Sequence, residues 1–314
     1  MGTTWSVLIA GPAEAIRAGD LQAAFQSAVD EVDAQMSTWK PDSDLMRLNA
    51  APLDRWVLLP EALLTVLAAG LTISHSTGGA FEMNVGDVVR AWGFAADPVN
   101  LAAIEAARAA PRVPASAALA LDIARGRARK FAPVALDLSG IAKGYGVDRL
   151  AETALALGLG PVLCAIDGEV RAVGIRQDGR SWAVAIDAPD AGARGGHSVL
   201  ALRDMSVATS GDYRHFVTVG AARLSHTMDP RRGAPLTRAP ASVTVLSPSC
   251  MVADAMATAL MVMGAAEGAA FATRHGISAL FLTRGADGPG VRGSGLFAAD
   301  SAAARGEKGP GQAA

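Results

Sequence analysis

Apolar residues recur at helical spacing between residues 250 and 263. Val252, Ala255, Met256, Ala259, Leu260 and Met263 make one set, so this segment predicts an amphipathic helix with that set as its buried stripe. Leu21, Ala24, Phe25, Ala28, Val29, Val32 and Met36 repeat in the same way and predict an earlier helix, with Asp20 as its N-cap. A third helix starts after Pro60 and runs to about Ser76, where Gly78 and Gly79 break it. A short helix within 84–94 closes on Gly93. Residues 3–10 alternate as a strand does. Pro111, Pro114 and Pro133 punctuate two short strands. The run ALDL at 135–138 predicts a strand leading straight into a helix that carries Val147, Leu150, Ala151 and Ala154. Short strands follow between 162 and 246, separated by Gly, Asp and Pro turns. A helix at 266–274 and strands near 278–283 and 292–296 complete the pattern. No fixed-period repeat is present. The mixture predicts an α+β fold rather than a regular βαβ alternation.

Composition adds boundaries. The chain has 314 residues, 51% hydrophobic and 18% charged, which is a globular composition. One folded domain over 1–298 is expected, followed by a tail, ADSAAARGEKGPGQAA at 299–314, too low in complexity to bury a core. Net charge is −2 with no basic run. That argues against nucleic acid as the main ligand and against an electrostatically held membrane surface. No stretch of about 18 consecutive apolar residues occurs, so no membrane span is expected. Cys164 and Cys250 form no CxxC and read as buried thiols that act as small hydrophobes. The chain opens on MGTTWSVLIA with no basic n-region or cleavage site, which reads as cytoplasmic.

The candidate chemistry sits in separated blocks. Asp254 and Thr258 lie four apart and project together from a face beside the apolar stripe. Two hard oxygen ligands one turn apart suit Mg²⁺ far better than Zn²⁺. A pair of this kind on its own is commonly a solvated face or a local side-chain bond. The block DLSGIAKGYGVD at 137–148 supplies Asp137, Gly140, Lys143 and Gly144 at a strand-to-helix junction. Backbone N–H groups at a helix start favour anions, and Lys143 adds a full charge. The junction is neither a Walker A loop nor a GxGxxG fingerprint. A third block, SHTMDPRRGAP at 225–235, holds His226, Asp229, Arg231 and Arg232. Beside a diphosphate site His226 could act as a general base on an attacking hydroxyl. A lone His in a strand is more often a hydrogen-bonded structural residue. The two arginines either reach a phosphate or face water.

Taken in order, MGTTW at 1–5, MSTWKPDSDLMRLN at 36–49, GGAFEMNVGDVVRAWGF at 78–94, DLSGIAKGYGVD at 137–148, VATSGDYRHF at 207–216, SHTMDPRRGAPL at 225–236 and SVTVLSPSCMVADAMATAL at 242–260 resemble one family. That family is ApbE, the FAD:protein FMN transferases, and the likeness covers about residues 1–283. The resemblance implies mixed, largely antiparallel sheets with packed helices, a T-fold-like arrangement. It implies Mg²⁺-dependent cleavage of the FAD diphosphate and transfer of FMN to a Thr or Ser hydroxyl of an acceptor flavoprotein, with release of AMP. Family acceptors are similar to flavin subunits of Rnf-type and sodium-pumping complexes, or to soluble flavin reductases. By motif, Asp254, Thr258 and the backbone carbonyl of Gly140 look like Mg²⁺ ligands. Asp137, Lys143, Met1, Trp39, Ala80, Phe81, Glu82 and Met228 match FAD-contacting positions. His226 is assigned as proton acceptor, with Asp229 as a possible orienting neighbour.

The chain departs from the family pattern in places. Trp39 stands where Tyr is usual, Glu82 where Asp is usual, and Asp167 where Gly is common. Most relatives carry an export signal or lipoprotein anchor ahead of the MGT motif, so a periplasmic location follows instead if a leader has been omitted. Two other functions use the same residues. One is a Mg²⁺-dependent FAD pyrophosphatase giving FMN and AMP. The other is a flavin-binding protein without turnover, which needs no metal at the diphosphate. Self-flavinylation is not expected, because no acidic residue is followed closely by SGAT.

Overall fold

The computed structural model describes residues 3–11, 16–188, 196–212, 216–219, 222–237, 239–285 and 288–298. Met1 and the tail 299–314 lie outside the described residues.

Seven strands form the central sheet: β1 (Trp5–Ile9), β2 (Val162–Ile166), β3 (Glu169–Val173), β4 (Met205–Gly211), β5 (Ser242–Ser247), β6 (Ser278–Gly285) and β7 (Gly288–Ser294). They neighbour one another in chain order, and every pairing is antiparallel. Small antiparallel sheets flank it, one of them joining Trp182–Asp187 to Gly196–Leu202. The α+β expectation therefore holds, with antiparallel pairing throughout the main sheet. The ends of the last two predicted strands differ, because Gly295–Phe297 is a turn of 3₁₀ helix rather than strand.

The longest helices are α1 (Ala18–Met36), α2 (Glu61–Ser76), α3 (Ala142–Ala156) and α4 (Cys250–Arg274). At the start of α1 the N-cap is Arg17, and Asp20 sits inside the first turn, where it pairs with the Arg17 guanidinium at 2.8 Å. The negative charge still meets the positive end of the helix dipole, which is why an acidic residue close to the start reads as a cap. Leu101–Ala109 adds a helix that no periodicity announced, capped by the Asn100 side chain.

Helix α4 is more deeply placed than a single stripe implies. Ala255 and Ala259 pack into one core with Leu45, Leu63, Met83 and Leu138. Ala253, Ala257, Leu260 and Met261 pack into another with Val243, Val245 and Phe281. Cys250 enters a third beneath α3. A helix buried on several sides needs apolar or small residues nearly all round, and CMVADAMATALMVM supplies them. By length and composition α4 could also cross a membrane; in this fold it is the helix around which these cores assemble. Its predicted division is real: Gly264 breaks the helix at φ 81°, ψ 169°, a conformation essentially restricted to glycine. Both cysteines are buried and free.

One predicted element is absent as such. Residues 135–138 are extended but join no sheet. Their backbone groups are satisfied by other means. The Leu136 N–H donates to Asn49 Oδ1 at 2.8 Å, and the Asn49 amide donates back to the Leu136 carbonyl at 2.9 Å. The Ala135 N–H donates to Asn84 Oδ1, and the Asp137 N–H to the Met83 carbonyl. Two asparagine side chains thus do the work of neighbouring strands, and the segment arrives at the start of α3 fixed in position.

Candidate active site

α3 and α4 cross closely, and the crossing builds the floor of a cleft of about 510 Å³. The closeness has a sequence cause. A Cβ on Gly144 would collide with the Cys250 carbonyl and stand 2.8 Å from Asp254 Cβ. With only hydrogen there, the Gly144 N–H reaches Asp254 Oδ2 at 2.9 Å. The start of α4 is tied to α3 by Asp148. Its carboxylate accepts from the Cys250 and Met251 N–H groups at 3.0 Å each and from the Ser249 hydroxyl at 2.8 Å. It also pairs with Arg171 at 2.7 Å. These contacts set the rotation of α4 and hence the direction in which its next turns project.

Asp254 and Thr258 both line the cleft. The Thr258 hydroxyl lies 3.2 Å from that of Ser210 on β4. Gly140 passes close over it: a Cβ there would stand 3.0 Å from Thr258 Oγ1 and 3.5 Å from the Phe81 ring. Asp254 is buried, and its pKa is pushed up to about 7, by burial first and by the neighbouring Glu169 charge second. Lys143 and the Gly144 N–H pull the other way without winning. This carboxylate is short of positive charge.

Lys143, on the first turn of α3, gives its ammonium to Glu169 Oε1 at 2.8 Å and lies 3.5 Å from Asp167 Oδ2. Burial works against that charge, but the Glu169 and Asp254 carboxylates, with Asp167 beside them, together outweigh it and hold the pKa above the usual lysine value. Asp137 is buried as well. Its Oδ1 accepts the Ser139 N–H at 2.8 Å, while its Oδ2 is buried with no hydrogen-bond partner among the described residues. Burial raises its pKa.

Trp39, Ala80, Phe81, Glu82, His226 and Met228 line the same cleft. Trp39 is 62% exposed at the margin, so its ring is available to stack on a planar ligand. Phe81, Ala80 and Met228 are buried. Glu82 uses Oε1 to accept the Asn84 and Ala115 N–H groups at 2.8 and 3.0 Å, a bracing role in addition to its place in the lining. The His226 ring stands edge-on to Phe94, with centroids 6.5 Å apart. Asp229 lies outside the cleft lining. Its Oδ1 accepts from the Arg231 and Arg232 N–H groups, so it shapes the turn after His226. Arg231 donates to the Gly78 carbonyl at 3.3 Å, and both arginine side chains are exposed. Met1 falls outside the described residues.

Several lining residues carried no assignment from the sequence: Thr3, Asp167, Glu169, Asp187, Thr209 and Ser210. They come from segments widely separated in the sequence, where spacing conveys nothing about proximity. Thr3, Thr209 and Ser210 lie within the MGTTW and VATSGDYRHF blocks, and the polar turn IDGEV at 166–170 holds Asp167 and Glu169. Among the described residues no group of three or more His, Cys, Asp or Glu is arranged to hold an ion. The Asp254 carboxylate and the Thr258 hydroxyl line the cleft with the Gly140 backbone close by, so the donors on offer are hard oxygens. Together with an Asp254 carboxylate whose burial and Glu169 neighbour outweigh the nearby Lys143 charge, that set fits Mg²⁺, which commonly takes few protein ligands and fills its shell with phosphate and water oxygens.

Comparison with known proteins agrees with this geometry. The sequence model of the ApbE family matches residues 1–281. The FAD:protein FMN transferase of Vibrio cholerae is 33% identical over 290 residues, 92% of this chain and 86% of that protein. Its counterpart from Escherichia coli K12 is 31% identical over 293 residues, 91% and 83% of the two chains. Among solved structures, the flavin transferase ApbE from Vibrio cholerae superposes with a TM-score of 0.83 at 33% identity, covering 95% of each chain. The apo form of the Pseudomonas stutzeri flavinyl transferase ApbE gives 0.83 at 33%, over 95% of this chain and 93% of that one.

Proposed function

The chain belongs to the ApbE family, and on that premise we propose that it is an FAD:protein FMN transferase that moves FMN from FAD to a Thr or Ser hydroxyl of an acceptor flavoprotein, with Mg²⁺ as cofactor. The observation that carries the reading is the convergence of Trp39, Phe81, Asp137, Lys143, His226, Met228, Asp254 and Thr258 in one cleft, although they come from blocks spread over more than two hundred positions. The acceptor is proposed to be a flavin subunit of an Rnf-type or sodium-pumping complex, or a soluble flavin reductase.

Asp254, Thr258 and the Gly140 carbonyl would hold the cation. When bound, Mg²⁺ neutralises diphosphate charge and aligns the phosphoryl group for displacement. The rest falls to the side chains. Lys143 presents a full positive charge to the diphosphate, kept ionised by Glu169 and Asp167. Trp39 offers a face for the isoalloxazine, and the buried Phe81 and Met228 exclude water beneath it. The acceptor oxygen attacks the phosphorus of the FMN half while the bond from that phosphorus to the AMP oxygen breaks. AMP leaves with the electron pair. His226 takes the proton of the attacking hydroxyl. Positioning and charge neutralisation supply most of the acceleration in reactions of this class.

The test is a transfer assay with FAD, Mg²⁺ and an Rnf-type FMN-binding domain, read as flavin fluorescence that remains on the acceptor in a denaturing gel. Labelling that is lost with EDTA and in Asp254→Ala supports the reading. AMP release with every acceptor left unlabelled would replace it with a pyrophosphatase.

A further inference from the structure

Two positive groups compete for Asp254 once Mg²⁺ is admitted to the site. One is the cation. The other is the Lys143 ammonium, which sits on the residue next to Gly144, whose N–H already touches Asp254 Oδ2 at 2.9 Å. A lysine side chain has a four-carbon stem and a mobile point charge. Left alone beside a buried carboxylate, it closes onto it, because a buried ion pair is far better than two separated buried charges. In this structure the ammonium acts on Asp254 only across a longer distance, and its direct contacts lie elsewhere. Its hydrogen bond is to Glu169 Oε1 at 2.8 Å, with Asp167 Oδ2 at 3.5 Å.

Glu169 has the attributes of a dedicated anchor. It begins β3 and pairs with Ile166 of the neighbouring strand, next to residues paired on both edges. It is 2% exposed. Among the described residues its second oxygen, Oε2, is buried with no hydrogen-bond partner, and the Lys143 ammonium is the cation that pairs with its carboxylate. A buried carboxylate with an orphaned oxygen is costly, and a fold keeps such a group where it serves a purpose beyond packing.

We propose that Glu169 is a positioning residue that reserves Asp254 for the metal: by holding the Lys143 ammonium on β3, it keeps that ammonium from occupying the Asp254 carboxylate. The inference rests on the Mg²⁺ reading of Asp254. It assigns Glu169 no contact with substrate.

The experiment measures Mg²⁺ binding by isothermal titration calorimetry on the full-length protein without FAD. The variants are Glu169→Gln, Lys143→Met, the double variant and Asp254→Ala. Wild type binds Mg²⁺ and Asp254→Ala does not. In Glu169→Gln the released ammonium pairs with Asp254, and the Kd rises about tenfold or more, the effect of one competing charge at close range. Removing that ammonium in the Glu169→Gln, Lys143→Met double variant brings the Kd back to within about threefold of wild type. Glu169→Asp, which keeps the charge, stays within the same range and serves if the Gln variant fails to fold. An unchanged Kd in Glu169→Gln overturns the proposal, as does a loss that Lys143→Met leaves unrepaired. If wild type itself binds no Mg²⁺, the metal reading is what has failed.

Discussion

Replacing Asp148 with Asn tests whether the cleft depends on the tie between α3 and α4. The side chain keeps its shape and loses its charge. In the wild type the carboxylate accepts two backbone N–H groups and one hydroxyl at the start of α4 and pairs with Arg171. Hydrogen bonds to a charged acceptor contribute about 1.5–3 kcal/mol each. They share one carboxylate and are not additive. Removing one partner of a buried pair costs about 3–5 kcal/mol. The Asp148 side chain is 8% exposed but that of Arg171 is 26% exposed, so water recovers part of the arginine's loss. The expected destabilisation is about 3 kcal/mol on these grounds. Urea unfolding at pH 7.5 measures it as a lower midpoint at unchanged slope. Ser249→Ala, which removes a hydroxyl that also caps the Val252 N–H, is expected to cost about 1 kcal/mol. A loss below about 1 kcal/mol for Asp148→Asn would refute the idea that this carboxylate holds α4 in place.

Gly144→Ala drives a methyl group into the Cys250 carbonyl and Asp254 Cβ; it is expected to cost about 1–3 kcal/mol, measured by urea unfolding, and to remove most transfer activity by moving Asp254. His226→Ala is expected to lower the transfer rate by about 10²–10⁴-fold with FAD affinity retained, which stopped-flow rates and flavin fluorescence titration separate. Asp254 carries a pKa raised from 3.8 in the unfolded chain to about 7 in the metal-free fold. The folded state therefore binds the extra proton between those values, so metal-free stability is highest at the acid end of that window and falls as pH rises through about 7. Urea midpoints in EDTA at pH 5 and pH 8 check this; Mg²⁺ is expected to restore stability mainly at pH 8, and a flat profile contradicts the assignment.

Much of the fold was legible because helices with a single apolar face repeat at 3.6 residues, as α1 and α3 do, and because Pro60 and Gly78–Gly79 bracket α2. α4 was legible as a helix but not as the centre of several cores, since alanine and methionine on every side look alike from sequence. Residues 135–138 were misread as a strand for a physical reason. Extended backbone needs hydrogen-bond partners, and here Asn49 and Asn84 provide them from 87 and 51 positions away. The same limit governs the site. The blocks named its residues on α3, on α4 and in the loops before them, and the structure brings them together. The pairings of Glu169 with Lys143 and of Ser210 with Thr258 were not legible, because the partners are 26 and 48 residues distant. Asp148 was visible as the last letter of a block, but nothing local shows that a carboxylate on one helix caps the next.

The most direct test of flavin transfer is the stoichiometry of products in one reaction. Intact mass spectrometry counts FMN attached to the acceptor, and chromatography counts AMP. One AMP released for each FMN attached, both abolished in Asp254→Ala, is the result expected. AMP formed in excess over attached FMN, or attachment that survives loss of Asp254, would contradict it.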